Sequence, residues 1–196
     1  MKKRMTQPQD MTCGTPWKLI LMFAVPLILG NIFQELYTIV DTMVVGKKLG
    51  VNALAAVGAT GWVFMFNSML IQGFTQGFGI QIAKMVGEND TVKLKRAISN
   101  SIILSALLSI VLLLGMQLII NPAMHILRIP LNIRDISVTY LRVIFVGIPF
   151  SVAYNIFAVI LRSLGNSKTP LNAMVISTSS NIVLDILFVV GFQWGV

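Results

Sequence analysis

The sequence has 196 residues; 56% are hydrophobic and only 11% are Asp, Glu, Lys or Arg. With a mean hydropathy of +0.82 against the roughly 25% charged residues of a soluble domain, it falls among all-α polytopic membrane proteins. The net charge of +8 then reports loop charges that set membrane orientation rather than nucleic-acid binding; the single Cys13 and single His125 exclude an intrachain disulfide, a thiol cluster and any paired-histidine metal motif.

The basic opening Met1-Lys2-Lys3-Arg4 is like the start of a signal peptide. The apolar run begins only at Leu19, however, is too long for a signal core and lacks a small-residue cleavage site. Residues 1–18 therefore read as a cytoplasmic N-terminal tail, and residues 19–196 as a transmembrane unit. The first span covers about 19–45, with Pro26 inside it to bend the helix and Gly30 to allow close approach. A second, about 54–82, is free of Asp, Glu, Lys and Arg and carries Gly61, Gly73, Gly77 and Gly79 for helix packing. After the charged loop from Lys84 to Arg96, a third span runs about 97–120 and closes at Asn121-Pro122. The fourth is about 136–161, with Pro149 internal, and the fifth about 171–192.

Charge gives the orientation. With the N-terminus inside, cytoplasmic segments hold ten Lys and Arg residues, from Lys2 through Lys168, whereas external loops hold four: Lys47, Lys48, Arg128 and Arg134. Five spans ending in Gln193-Trp194-Gly195-Val196 suggest a piece of a longer protein.

Two acids lie deep in spans. Asp41 is roughly 33 Å along its helix from Leu19, and Asp185 roughly 22 Å from Pro170, at 1.5 Å per residue. A charged side chain at the bilayer centre costs at least about 2.5–3.5 kcal/mol on insertion scales, so each acid implies a compensating ion, proton or partner. Gln34, Tyr37 and Asp41 share one helical stripe, and Asn181 and Asp185 are four residues apart. Two carboxylates with amide and hydroxyl oxygens make a hard-oxygen site for Na⁺ or a proton; the plainer reading is that each Asp fixes helix packing. Glu35 lies about 120° around the helix from Asp41 and pairs with Arg142 or borders a central cavity. Arg142 reads as a cation reaching to the interface, Tyr140 as a hydroxyl donor to the carboxylate cluster, and Asn155 as too near the cytoplasmic end to join it. Met65, Met69 and Met174 suit a pliable substrate pocket, although methionine is also ordinary filler in lipid-facing helices.

Gly14-Thr15-Pro16-Trp17-Lys18-Leu19-Ile20, Ala24-Val25-Pro26-Leu27-Ile28, Gln34, Leu36-Tyr37, Asp41, Val45-Gly46, Leu49-Gly50 and Ala53-Leu54-Ala55-Ala56-Val57-Gly58 together resemble the first-helix region of the multidrug and toxic compound extrusion (MATE) family. The turn Leu161-Arg162-Ser163-Leu164-Gly165-Asn166-Ser167-Lys168-Thr169-Pro170 is similar to that family's loop after the fourth helix. The resemblance implies twelve helices in two six-helix lobes, of which this chain supplies the first lobe without its sixth helix; the partner it lacks is the C-terminal lobe, in cis or in trans. It further implies a cation site at Asp41, Asn181 and Asp185 supported by Tyr37 and Tyr140, a hinge at Pro26, and a coupling ion, Na⁺ or H⁺, rather than a cofactor. The expected function is ion-coupled export of amphipathic, often cationic compounds across a bacterial plasma membrane, with Gln34, Met65, Met69 and Met174 as substrate contacts. The rivals are a flippase for lipid-linked sugars of the same broad fold, expected to have a more basic cavity, and a non-transporting scaffold or gene remnant. No enzyme is expected, since the spans hold no Ser-His pair, metal cluster or phosphate loop.

Overall fold

A computed structural model describes residues 15–48 and 50–192, except for the side chains of Asp41, Val44, Val45, Lys48, Asp185, Ile186, Val189 and Val190. The basic tail through Gly14, with Cys13, and the final residues 193–196 lie outside the described residues. The described residues are helical and include no strand: α1 (Pro16–Lys48), α2 (Gly50–Gly87), α3 (Thr91–Ile126), α4 (Leu131–Val146), α5 (Ile148–Ser163) and α6 (Lys168–Asp185), followed by one π-helical stretch, Ile186–Gly191.

Among the described residues three helices are long and apolar enough to cross a bilayer, and α4 with α5, bent by 45°, is a fourth when the pair is taken as one span. The bend lies at Gly147 with Pro149 in the first turn of α5, because a proline there needs no amide partner but cannot continue the preceding helix. The sequence suggests one continuous span over 136–161; the structure divides it. The fifth expected span, 171–192, falls on α6 and the π stretch; α6 is rich in Ser, Thr and Asn and is not among the helices long and apolar enough to cross a bilayer.

Side-chain distribution inverts that of a soluble bundle. Leu118, Phe150 and Trp62 are among many large apolar residues that face outward, while Thr60, Thr75, Asn67, Ser101, Ser105, Ser109 and Ser137 are buried between helices. Such an apolar exterior has no stable home in water, and small polar residues are what bring membrane helices close. The buried hydroxyls of Thr60, Thr75, Ser101 and Ser137 donate to carbonyls one turn back in their own helices, at 2.9, 2.8, 2.7 and 2.9 Å. This satisfies them where water is absent.

The apolar core joins α2, α3, α4 and α5 through Val63, Ile71, Leu112, Met116, Ile120, Leu141, Phe145 and Val152. A second cluster, Ile82, Ile156 and Ile160, closes the end near the α2–α3 turn. Gly79 is what lets α2 and α5 meet there: a Cβ on it would come within 2.5 Å of Val159 Cγ1. Ser163 Oγ, one turn after Val159, donates to the Gly79 carbonyl at 3.0 Å.

α1 and α6 lie outside that core and pack on each other. Gly30 marks their contact, since a Cβ there would sit 2.5 Å from Met174 Cε. Short turns make successive crossings antiparallel, so α1 and α6, separated by the α2, α3 and α4–α5 crossings, run the same way.

Candidate functional site

α1, α2, α5 and α6 line an open cavity of about 470 Å³, a volume in the range of small-molecule pockets. Its wall is mostly uncharged and polar. α1 contributes Phe23, Leu27, Asn31 and Gln34; α2 contributes Gln72 and Gln76; α5 contributes Tyr154, Asn155, Arg162 and Ser163; α6 contributes Met174. Helical periodicity places these side chains: Gln72 and Gln76 are one turn apart, and Asn155 and Arg162 two.

Of the expected substrate contacts, Gln34 and Met174 line this cavity and Met65 and Met69 do not; the latter two are exposed on α2. Asn155, expected too far toward one end to join the acids, lines it as well, with its Nδ2 donating to the Ser151 carbonyl at 2.9 Å. Glu35 and Arg142 are both exposed and do not line it. Arg142 belongs instead to the α3–α4 contact, where its backbone carbonyl accepts a hydrogen bond from Gln117 Nε2 at 3.1 Å. Pro26 is buried within α1, which stays helical past it.

Sequence reasoning missed Gln72, Gln76, Tyr154 and Arg162. The available signal was the pair of glutamines at one-turn spacing in a helix otherwise free of charge until Lys84. Arg162 reads in sequence as part of a basic turn, but α5 extends through Ser163 and carries it on the cavity wall.

The α5–α6 turn that holds Arg162 is tightly built. Gly165, at φ +81°, occupies the left-handed position that ends α5. Its amide bonds the Arg162 carbonyl at 2.9 Å and the Asn166 amide bonds the Leu161 carbonyl at 2.9 Å. The Asn166 side chain then starts α6, accepting the Thr169 amide at 3.0 Å and donating to Thr169 Oγ1 at 2.9 Å.

The acid positions follow from helix register. Along α1 the cavity stripe Phe23, Leu27, Asn31, Gln34 continues through Tyr37 to position 41. Counting from the Gly30–Met174 contact, Asp41 and Asp185 are each 11 residues further along parallel helices. Each is therefore roughly 16 Å of helix beyond that contact at 1.5 Å per residue. The two acid side chains are outside the described residues. Tyr37 and Tyr140 are half-buried and each engaged in a further interaction, whereas Asn181 is exposed. Directly after Asp185 the chain changes from α to π geometry, with the Phe192 amide bonding the Leu187 carbonyl at 3.0 Å. Among the described residues no three His, Cys, Asp or Glu side chains cluster as metal ligands.

Comparison with known proteins gives one consistent neighbourhood. A family model described as MatE matches residues 26–187. The probable multidrug resistance protein YoeA of Bacillus subtilis (strain 168) is 30% identical over 175 residues, covering 89% of this chain and 38% of that protein. A MOP superfamily transporter from Pyrococcus furiosus, whose binding pocket is described as reversed in polarity, superimposes with a TM-score of 0.90 at 29% identity, over 98% of this chain and 42% of its own. An outward-facing multidrug resistance MATE family transporter gives a TM-score of 0.87 at 30% identity, over 93% and 40%. The chain thus spans about two fifths of the length of the proteins it resembles.

Proposed function

The chain belongs to the MatE family, and we propose that it forms the first part of a plasma-membrane exporter that couples entry of Na⁺ or H⁺ to exit of amphipathic compounds. The observation that carries this reading is the continuous α1 face running from the cavity residues Phe23, Leu27, Asn31 and Gln34 to Tyr37 and position 41. A single helix thereby links a cargo-sized space to the position of an intramembrane acid.

The coupling ion enters as a substrate. Asp41 and Asp185 supply carboxylate oxygens, Asn181 a carboxamide oxygen, and Tyr37 and Tyr140 phenolic oxygens, a donor set suited to a hard cation. Protonation offers an equivalent route to neutrality, since a carboxyl removed from water holds its proton more firmly. Either event cancels negative charge that hydrocarbon disfavours and so lowers the cost of moving α1 toward lipid or protein. Pro26 cannot donate a backbone hydrogen bond and is the weak point at which α1 bends. Because four cavity residues sit on α1 at and around Pro26, bending there reshapes the cavity wall and expels its contents. Alternating access needs an opposing lobe, supplied by further sequence in cis or by a second chain.

Efflux of a fluorescent amphiphile from cells tests this. In the natural product that carries this chain, Asp41→Asn and Asp185→Asn abolish the dependence of efflux on Na⁺ or pH. Ion-driven efflux that survives in Asp41→Asn sinks the proposal.

A further inference from the structure

Among the described residues Arg162 is the one charged residue on the cavity wall, and no described Asp or Glu side chain lines the cavity with it. Among the described residues its guanidinium makes no hydrogen bond or ion pair. A cation at a helix C-terminus ordinarily finds its use in bonding the last carbonyls. Here that work is already done, because the Ile160, Leu161 and Arg162 carbonyls accept the amides of Leu164, Asn166 and Gly165. The helix dipole offsets only about half a charge. The result is a half-buried guanidinium with its planar set of donors uncommitted, next to a wall of neutral carboxamides from Asn31, Gln34, Gln72, Gln76 and Asn155 and the Tyr154 hydroxyl.

Among the described residues that arrangement offers a purely cationic guest a like charge and no counter-charge. It favours an oxyanion, which a guanidinium binds through two parallel hydrogen bonds. Around the anion, the carboxamides offer further N–H donors, while Phe23, Leu27 and Met174 supply apolar contact for a hydrophobic body.

We propose that the Arg162 end of the cavity binds the oxyanion of an amphiphile, a carboxylate, sulfonate or phosphate, so that zwitterionic and anionic amphiphiles are taken in preference to purely cationic ones. This rests on the reading of the cavity as the cargo site and narrows the chemistry of that cargo. The oxyanion belongs to a free amphiphile or to a lipid headgroup, two sources with one recognition chemistry.

The test is binding, by fluorescence anisotropy, of three dansyl-labelled amphiphiles with a common alkyl chain and a trimethylammonium, sulfobetaine or sulfonate head. The protein is the full natural product carrying this chain, purified in a neutral detergent, as wild type, Arg162→Gln, Arg162→Lys and Asn31→Trp. The expected result is that wild type binds the sulfobetaine and sulfonate at least tenfold more tightly than the trimethylammonium probe. Arg162→Gln erases that difference, Arg162→Lys keeps much of it and thereby shows that the fold survives change at this site, and Asn31→Trp, which fills the cavity, weakens all three. If Asn31→Trp weakens all three but wild type does not discriminate, or Arg162→Gln discriminates as wild type does, the oxyanion proposal is overturned while the cargo cavity stands. If Asn31→Trp changes nothing, the cargo cavity itself is wrong and the proposal falls with it. Repeating the sulfonate titration in bilayer discs of phosphatidylcholine and of phosphatidylglycerol separates the sources. Competition by phosphatidylglycerol in wild type but not Arg162→Gln supports the proposal with a headgroup as source; equal affinity in both discs supports it with a free amphiphile.

Discussion

Two glycines illustrate how one residue type carries different weights. At Gly79 an added methyl meets the β-branched Val159 at 2.5 Å and Ser163 Oγ at 3.4 Å, and neither the stiff valine nor the hydrogen-bonded serine can yield easily. At Gly30 the obstacle, also at 2.5 Å, is the terminal methyl of Met174, the free end of the most pliable apolar side chain. Gly79→Ala is therefore expected to cost about 1–3 kcal/mol of stability, the usual penalty of overpacking, and Gly30→Ala clearly less. Thermal unfolding in detergent checks the order, and a larger loss in Gly30→Ala would contradict it. The two arginines show where sequence reading reaches its limit. Arg142 lies inside a span and draws attention, yet it is exposed; Arg162 reads as a loop cation and lies on the cavity wall. Hydropathy cannot separate them, because the difference depends on α5 continuing two residues past the apolar run and on which helices stand opposite.

At the scale of elements, helix starts depend on local chemistry that titrates. Asp90 caps α3, its carboxylate accepting the Val92 and Lys93 amides at 3.1 and 2.9 Å and pairing with Lys93 Nζ at 3.1 Å. The hydrogen bond from the Lys93 amide, then that from its side chain, holds the carboxyl below its ordinary value. A depressed folded pKa means the stabilisation is fully present above the unfolded carboxyl value of about 3.9 and is lost as pH falls through the folded one. Hydrogen exchange at the start of α3 should accelerate below about pH 4 in wild type. In Asp90→Asn, which caps well but does not ionise, it should stay flat; equal acid sensitivity in both would contradict this role. The helices themselves were legible because apolar runs of bilayer length have few other fates. The break at Gly147 was half legible, since Pro149 signals it, but the 45° bend depends on how α4 and α5 pack against α2 and α3.

For the whole molecule, the sequence exposed the acids and the proline but not the cavity. Asp41, Asp185 and Pro26 stand out because each violates a rule of its apolar surroundings, and the proposed mechanism joins the three. The cavity wall is assembled from carboxamides up to 124 positions apart, Asn31 to Asn155, each unremarkable alone. Met65 and Met69 show the converse, residues of suitable chemistry on a face that the cavity does not use. Pro26→Ala restores a backbone donor within α1 and is expected to leave cargo binding within about twofold while lowering ion-driven efflux at least tenfold. Equal loss of binding and efflux would assign Pro26 to the binding site rather than to movement.

The central claim is that the intramembrane acid at position 41 couples an ion gradient to cargo movement through the cavity-bearing face of α1. Its most direct measurement is efflux of the dansyl sulfobetaine from cells expressing the full natural product, wild type against Asp41→Asn, as an imposed Na⁺ or pH gradient is collapsed. The account predicts efflux that follows the gradient in wild type and does not respond to it in Asp41→Asn, with the probe still bound by both purified proteins. Gradient-dependent efflux of equal size in both would contradict it.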